Sequence, residues 1–238
     1  MFYFDKINGK TVLKSDFLED ITAFFTTRES VIKTKEPEFE NLVEENKKMF
    51  REYLQVTELV SPSQTHSANV DFAVVGKTDY PETDALILDN KKQAVFLNFA
   101  DCTPVILYDK KQKIAAISHA GWRGTAQKIA PETVKVMKSA PEDIIAVIGP
   151  AISLCCYNVG DDVFEQLKST VKNFDGMFKI KDGKKFVDLK AINARQLEEI
   201  GADKIDICPY CTYCDNDMFF SYRRENATTN RHSALIKL

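Results

Sequence analysis

Short apolar runs dominate this sequence, and polar or turn-forming residues separate them. Several runs carry valine, isoleucine, phenylalanine and alanine at every position, which is typical of strands buried on both faces. The pattern predicts nine strands, at residues 2–4, 21–26, 70–75, 85–88, 94–99, 105–108, 114–118, 144–148 and 234–238. No run approaches the roughly 20 apolar residues that a membrane-spanning helix requires.

Four segments show helical signals instead. An apolar stripe with a period near 3.6 predicts a helix over residues 37–55. Thr125 is a candidate N-cap for a second helix to about residue 139, which Pro131 would kink or divide. A third helix is expected at 161–167, and Asp188 would cap a fourth that ends at Gly201. Because strands and helices do not alternate regularly, we predict an α+β fold, a single domain with mixed β-sheets sandwiched between helices.

Composition narrows the class of protein. The 238 residues are 44% apolar and 28% charged, and 32 basic against 35 acidic side chains give a net charge of −3. This mixture is typical of a globular protein rather than a disordered tail, and a pI of about 5.7 gives no general reason to bind nucleic acid. Six cysteines are too few for a disulfide scaffold. Residues 1–10 lack a signal-peptide pattern, so we expect a cytoplasmic protein. Because no linker or low-complexity tract divides the sequence, we expect one domain over 1–238.

Three short polar segments follow or join predicted strands, and they hold two of the three histidines. They read Ser-Gln-Thr-His at 63–66, Ala-Asp-Cys-Thr-Pro at 100–104 and Ser-His-Ala-Gly-Trp-Arg-Gly at 118–124. If the strands are neighbours, Cys102 and His119 meet at one sheet end, where His66 can join them. Two imidazoles and a thiolate form a zinc donor set with one open position. The spacing leaves two alternatives open, packed residues without a ligand role and a metal-free Cys102–His119 nucleophile pair.

Five motifs in fixed order resemble the laccase-domain family, which is also called multicopper polyphenol oxidase-like and is described as a purine nucleoside phosphorylase and peptidoglycan editing factor family. The motifs are SQTH, ADCTPVILYD, HAGWRGT, GPAISLCCYNVG and CTYCDNDMFFSYRR. The likeness runs from about residue 21 to the C-terminus. The sequence departs from the family pattern at Ser67 and Asn230, where the family usually has glycine.

The resemblance implies a fold of α/β/β/α layers and a mononuclear metal held by His66, Cys102 and His119. The implied metal is zinc, with copper as the alternative. The implied activities are phosphorolysis of adenosine- or inosine-type nucleosides to base and ribose 1-phosphate, and deamination of adenosine. Cys102, His119 and Asp101 are the expected catalytic residues, although Asp101 could instead cap a tight turn.

Candidate substrate-binding residues lie beside the same motifs. A guanidinium is a planar donor suited to phosphate, and Arg28, Arg123 and Arg231 lie in or next to the motifs. Arg28 and Arg231 match family positions best. The side chain of Gln64 could hydrogen-bond a purine edge or a ribose hydroxyl. The expected partners are therefore a purine nucleoside and phosphate, with neither nucleic acid nor membrane, and with a homodimer left open.

Three other features are expected to be structural. Trp122, the single tryptophan, is expected to pack in the core. His232 has no partner motif, and we expect it at the surface or in a cap. The Cys-x₂-Cys-x₂-Cys run at 208–214 lacks a nearby fourth ligand for zinc or an iron–sulfur cluster. We interpret its cysteines as buried structural thiols, which Cys155 or Cys156 could join only through the fold.

Three rival functions stay open. A copper-dependent polyphenol oxidase would consume O₂, but three histidines cannot furnish a mononuclear centre and a trinuclear cluster. A Cys–His hydrolase or amidase acting on peptidoglycan precursors would work without metal through an alkylation-sensitive Cys102. A non-enzymatic binding module would have no need for the intact set of three donors.

Overall fold

Fifteen strands and five α-helices make up the computed structural model, which describes residues 1–238. The strands are β1 (Phe2–Ile7), β2 (Lys10–Ser15), β3 (Thr22–Thr26), β4 (Glu58–Val60), β5 (Val70–Phe72), β6 (Ala85–Leu88), β7 (Gln93–Phe99), β8 (Thr103–Asp109), β9 (Ile114–Ala120), β10 (Ile144–Ile148), β11 (Asn158–Val159), β12 (Phe178–Lys181), β13 (Lys184–Val187), β14 (Lys204–Ile207) and β15 (His232–Lys237). The helices are α1 (Glu40–Leu54), α2 (Trp122–Ala126), α3 (Ile129–Met137), α4 (Asp161–Lys168) and α5 (Leu189–Ile200).

Two mixed sheets of six strands form the centre of the fold. The first has the order β1-β2-β3-β15-β7-β4, and the second has the order β14-β10-β8-β9-β6-β5. Most neighbours are antiparallel, while β4–β7, β5–β6 and β10–β14 are parallel. A third, small sheet has the order β11-β13-β12.

The apolar side chains define the layers. The largest core cluster joins Leu97 and Ile236 of the first sheet to Ile106 and Ile117 of the second, so it lies between the two sheets. A second cluster packs the other face of the second sheet against α3 and α5, and a third packs the other face of the first sheet against α1. Every residue of β6, β7, β8 and β9 is therefore buried. This confirms the predicted α+β fold with sheets sandwiched between helices.

All nine predicted strands are present, but the sequence pattern missed β2, β4, β11, β12, β13 and β14. The signal for β2 was available, because Asn8 and Gly9 both take a positive φ and turn the chain between β1 and β2. Strands β12 and β13 read Phe-Lys-Ile-Lys and Lys-Lys-Phe-Val. Their lysines leave little apolar signal, because this small sheet is only partly buried.

All four predicted helical segments are helical in the structure, but one predicted N-cap is wrong. The stripe at 37–55 forms α1, and the Asp188 side chain caps α5 by accepting from the Ala191 N–H before the helix ends at Gly201. The expected N-cap role of Thr125 is wrong, because Gly121 caps α2 and Thr125 lies buried within it. The division near Pro131 is confirmed, since α3 is a separate helix that begins two residues before it. No helix of the fold is both long and apolar enough to span a bilayer.

Candidate metal centre

Two loops and the end of strand β9 bring His66, Cys102 and His119 together. Their ligand atoms, one imidazole nitrogen from each histidine and the cysteine sulfur, all lie within 4.8 Å of one another. The imidazole rings of the two histidines meet edge to face, with 4.9 Å between ring centroids. We call this set the His–Cys–His centre.

Strand pairing explains why Cys102 meets His119. Strands β8 and β9 are antiparallel, and their register pairs Thr103 with Ala120 and Pro104 with His119. Cys102 immediately precedes β8, so it lies beside the end of β9 that carries His119. The tight turn before it is made by Asp101, whose φ of 86° is a left-handed conformation that aspartate tolerates better than most residues.

Asp84 organises both histidines, although it lies outside every sequence motif. Its fully buried carboxylate accepts from His119 Nδ1 at 2.8 Å and from the His66 backbone N–H at 3.0 Å. It also accepts from the backbone N–H groups of Thr65 and Ser67 at 3.1 and 2.7 Å, and from the Ser67 hydroxyl at 2.7 Å. These bonds hold the left-handed backbone of His66, whose φ is 64°. With Nδ1 engaged, Nε2 of His119 is left to face a ligand.

The electrostatics of the centre favour a charged sulfur. Burial raises the pKa of Cys102, but the neighbouring imidazoles of His119 and His66 outweigh burial and bring that pKa below its ordinary value. Burial lowers the pKa of His119, and the Cys102 sulfur and the Asp84 carboxylate outweigh it in the opposite direction. Asp84 itself has a lowered pKa, because the hydrogen bonds from His119 and Ser67 overcome the cost of burying its charge. A thiolate is the form in which cysteine binds metal.

Gly121 makes room for the centre. A Cβ atom at this position would lie 3.0 Å from both Cys102 Sγ and His66 Cδ2. Gly124, one turn on, would bring a Cβ to 3.2 Å from the carbonyl oxygens of His119 and Ser67. The two glycines are therefore explained by close approach of the backbone, since neither has a positive φ. The donor set of two imidazoles and one thiolate, with space kept beside it, fits a zinc ion with an open fourth position.

Asp101 is tied into the fold around the centre rather than presented to it. One carboxylate oxygen accepts from the Thr212 hydroxyl at 2.7 Å, and the other accepts from the Arg223 backbone N–H at 2.7 Å. The Asp101 carbonyl accepts from the Ile152 N–H at 3.0 Å. These bonds join the turn that carries Cys102 to three positions that are distant in sequence.

Gln64 is engaged with the backbone of β7. Its side-chain amide donates to the Asn98 carbonyl at 2.9 Å and accepts from the Asn98 N–H at 2.9 Å. A contact of this amide with a purine would require these bonds to break. The main effect of Gln64 is to hold the loop that carries His66 against the first sheet.

The three candidate arginines differ in what surrounds them. Arg28 is ion-paired with Glu225 at 2.6 Å and lies over the Phe220 ring, so the Glu225 carboxylate largely neutralises its charge. Arg123 is exposed and stacks on Trp122, with 4.2 Å between the guanidinium carbon and the ring centroid.

Arg231 is half-buried, and its guanidinium donates to two carbonyls of its own loop. Burial lowers the pKa of Arg231, and the charge of the Cys102 sulfur is the largest influence that opposes this effect.

Two further predictions concern single residues. The surface or capping position expected for His232 is wrong. Its ring is completely buried between Phe99 and Phe219, and neither ring nitrogen has a hydrogen-bond partner. Burial lowers the pKa of His232 to about 3, so this histidine is neutral.

Trp122 is half-buried and packs on the cluster around Phe164, in keeping with the expected packing role.

The cysteines at 208–214 divide into two environments. Cys208 is buried in the core between the sheets. Cys211 and Cys214 instead meet Cys155 and Cys156, and the four sulfur atoms lie within 4.8 Å of one another. The interpretation of this run as buried thiols is therefore wrong for Cys214, which is exposed.

The fold and the His–Cys–His centre define a class of protein, an α+β fold with an open three-donor site at the end of a sheet. Within that class, the chain belongs to the family described as multi-copper polyphenol oxidoreductase laccase, whose family model matches residues 31–238. This confirms the resemblance found in the motifs.

Relatives and a solved structure extend the comparison. The chain is 30% identical over 247 residues to a purine nucleoside phosphorylase of Clostridium acetobutylicum, covering 97% of this chain and 99% of the relative. It is 35% identical over 196 residues to adenosine deaminase RL5 of an unknown prokaryotic organism, covering 75% of this chain and 74% of the relative. The crystal structure of hypothetical protein YfiH from Bacillus licheniformis has a TM-score of 0.89 at 31% identity, covering 99% of this chain and 98% of that one.

Proposed function

We propose that this chain is a zinc-dependent enzyme of purine nucleosides. It phosphorolyses adenosine- or inosine-type nucleosides to the base and ribose 1-phosphate, and it deaminates adenosine. The observation that carries the proposal is the convergence of His66, Cys102 and His119 around buried Asp84. The names of the relatives, purine nucleoside phosphorylase and adenosine deaminase, support the substrate class. A cytoplasmic location, one domain over residues 1–238 and a homodimer stay predictions.

The roles of the centre follow from its donors. His66 and His119 would hold the zinc through imidazole nitrogens, and Cys102 would hold it through its sulfur. When bound, zinc would supply a Lewis acid to the site. Asp84 keeps the His119 ring in the orientation and tautomer that present Nε2, and it fixes the backbone on both sides of His66.

Phosphorolysis also needs a cationic group for the incoming anion. Phosphate attacks C1′ of the ribose, the N-glycosidic bond breaks, and its electron pair leaves with the purine. Arg231 is the arginine best suited to the phosphate, because it is half-buried, its charge interacts with that of the Cys102 sulfur, and no carboxylate is ion-paired with it. Arg28 is less available, because Glu225 neutralises it. Arg123 is exposed and free of an ion pair, so it can contact a substrate that extends outward.

Asp101 and Gln64 act as positioning residues in this proposal. Both oxygens of the Asp101 carboxylate already accept hydrogen bonds, which disfavours a proton-transfer role. The Gln64 amide is paired with the Asn98 backbone. Each residue orients a loop that carries a donor of the centre, Cys102 in one case and His66 in the other.

A second candidate function is favoured by the same geometry. Cys102, His119 and Asp84 form a chain of thiol, imidazole and carboxylate that resembles the nucleophile, base and orienting acid of a cysteine hydrolase. In that case Cys102 would attack a carbonyl carbon, as in an amidase acting on peptidoglycan precursors, and no metal would be needed. His66 favours the zinc proposal, because such a triad has no use for a second imidazole within ligand distance of the sulfur. Two imidazoles and a thiolate also bind copper, but the three histidines of the chain cannot supply the trinuclear cluster that a multicopper oxidase needs.

Product analysis separates these functions. The purified protein is given inosine or adenosine, with and without phosphate, and the products are separated by chromatography. The zinc proposal expects hypoxanthine and ribose 1-phosphate only when phosphate is present, and inosine from adenosine without phosphate. Absence of both reactions, together with cleavage of a peptidoglycan-derived amide, would contradict it and support the hydrolase.

A further inference from the structure

Four thiols outside the His–Cys–His centre form a compact group, which we call the thiol cluster (Cys155, Cys156, Cys211 and Cys214). The Sγ atom of Cys155 lies 3.5 Å from that of Cys211 and 3.7 Å from that of Cys214. The Sγ atoms of Cys156 and Cys214 are 3.4 Å apart. The reaction proposed above has no use for these four side chains.

We propose that the thiol cluster is a second metal site, which holds one structural zinc ion through four thiolates. Structural zinc is tetrahedral with Zn–S bonds of about 2.3 Å, which places neighbouring sulfurs about 3.8 Å apart. The sulfurs of the thiol cluster lie at 3.4 to 3.7 Å where they touch, and none is more than 4.8 Å from another. The four donors therefore surround a space of the size that one zinc ion requires. This site does not depend on the reaction proposed for the His–Cys–His centre.

The geometry disfavours the other fates of a thiol group. A disulfide would bring two sulfurs to about 2.0 Å, whereas all six cysteines are free. An iron–sulfur cluster places several irons and sulfides among its cysteines, which sulfurs this close together do not accommodate. Hydrophobic packing fails as well, because Cys155 and Cys214 are exposed, whereas an inert structural cysteine is ordinarily buried.

One backbone N–H group beside the thiol cluster favours a charged sulfur, at Cys211. The Ser153 N–H donates to Cys211 Sγ at 3.4 Å, a bond that favours the thiolate. The Cys211 N–H donates to the Asp215 carboxylate at 2.8 Å, and the Cys211 carbonyl accepts from the N–H groups of Cys214 and Asp215 at 3.0 and 2.8 Å. These bonds close the Cys-x₂-Cys turn, so that its two sulfurs lie on one side. Arg224 donates to the Tyr213 carbonyl within that turn at 2.8 Å and brings positive charge near the cluster.

The cluster ties together two segments that are distant in sequence. Residues 151–157 and 208–215 meet at an isolated bridge between Ala151 and Cys211, with a hydrogen bond of 3.1 Å from the Thr212 N–H to the Ala151 carbonyl. Both segments also hold Asp101, through the Ile152 N–H and the Thr212 hydroxyl. A zinc ion that fastens these segments would therefore steady the turn that carries Cys102.

Metal content is the first test. The full chain is purified under reducing conditions without chelator, and its metals are counted by inductively coupled plasma mass spectrometry. We expect two zinc ions per chain in the wild type, and one in Cys102→Ala and in Cys214→Ser. Cys208→Ala, which removes a buried thiol outside the cluster, is the matched control and should keep two. Unchanged zinc content in Cys214→Ser, or iron in place of zinc, would overturn the proposal.

A second test needs no change to the cluster and is unaffected if Cys214→Ser fails to fold. The Cys102→Ala chain is loaded with Co²⁺, so that only the cluster has thiolates for the metal, and its absorption spectrum is recorded. One equivalent of Co²⁺ should give sulfur-to-cobalt charge-transfer bands. In parallel, alkylation of each cysteine in the wild type is followed by mass spectrometry before and after chelation. We expect all four cluster cysteines to be protected from alkylation before chelation and to react after it. Equal alkylation in both states, or a disulfide among the four, would overturn the proposal.

Discussion

Asp84 and His119 are joined twice. The Asp84 carboxylate accepts from His119 Nδ1 at 2.8 Å, and the Asp84 backbone carbonyl accepts from the His119 N–H at 2.7 Å. Asp84 immediately precedes β6 and His119 lies in β9, so the antiparallel pairing of these strands carries both bonds. The orientation of the His119 ring is thus fixed by the sheet itself, and its Nε2 is presented together with the Cys102 sulfur.

Replacing Asp84 with asparagine should weaken zinc binding. An amide of the same shape cannot accept from the imidazole and from all the N–H groups of Thr65, His66 and Ser67, so at least one donor loses its partner. Loss of such a supporting carboxylate typically reduces metal affinity by about 10- to 100-fold. Competition with a zinc chelator measures the change. Asp71→Asn is the control, because Asp71 makes an exposed pair with Lys77, and equal affinities in the two variants would contradict the role of Asp84.

Adding a methyl group at Gly121 should disturb the centre directly. The new Cβ would lie 3.0 Å from Cys102 Sγ and His66 Cδ2, closer than carbon ordinarily comes to either atom. Displacement in a packed site costs about 1–3 kcal/mol, so we expect zinc affinity to fall by roughly tenfold or more. Gly160→Ala is the matched control, since its nearest atom is the exposed Asp162 carboxylate. Gly121→Ala with the affinity of the wild type would argue against the centre as described.

The role of Arg231 is tested by Arg231→Lys. Lysine keeps the charge but loses the planar pair of donors, so the KM for phosphate should rise by about tenfold, or about 1.4 kcal/mol. Deamination of adenosine without phosphate should change little, which distinguishes a lost phosphate contact from a damaged fold. Steady-state kinetics with varied phosphate give both values. Arg195→Lys, in an exposed pair with Glu198, serves as the control; a parallel fall in both reactions would contradict a phosphate role.

His232→Ala should reduce stability without removing metal. The substitution empties a fully buried site between Phe99 and Phe219, and a cavity of that kind costs about 3 kcal/mol. Thermal unfolding with parallel metal analysis measures both effects. Loss of zinc with unchanged stability would mean that His232 contributes to the centre.

The sequence could predict what local patterns encode. Unbroken apolar runs such as 85–88 and 144–148 match β6 and β10 at both ends, because strands buried on both faces carry the same signal at every position. The motif residues around His66, Cys102 and His119 also identified the side chains that the fold brings together. The lack of a long apolar run also indicated that no helix spans a membrane, which agrees with the helices of the structure.

What escaped prediction depends on contacts between distant segments. Asp84 resembles any acidic residue before a strand, and only the meeting of β6 with β9 and the loop at 65–67 reveals its function. The burial of His232 arises from its neighbours Phe99 and Phe219, which lie far from it in sequence. Cys155 and Cys156, which complete the thiol cluster with Cys211 and Cys214, lie more than fifty positions earlier in the sequence.

The most direct test of the central proposal is removal and return of the metal at the His–Cys–His centre. Zinc is stripped from the wild-type chain with a chelator, and phosphorolysis of inosine is measured before stripping, after stripping and during titration with Zn²⁺, with Cys102→Ala carried through the same steps. We expect turnover to fall to background after stripping, to return when both zinc sites are filled, and never to appear in Cys102→Ala. Full turnover of the zinc-free chain, abolished by alkylation of Cys102, would contradict the zinc enzyme and establish the metal-free cysteine mechanism.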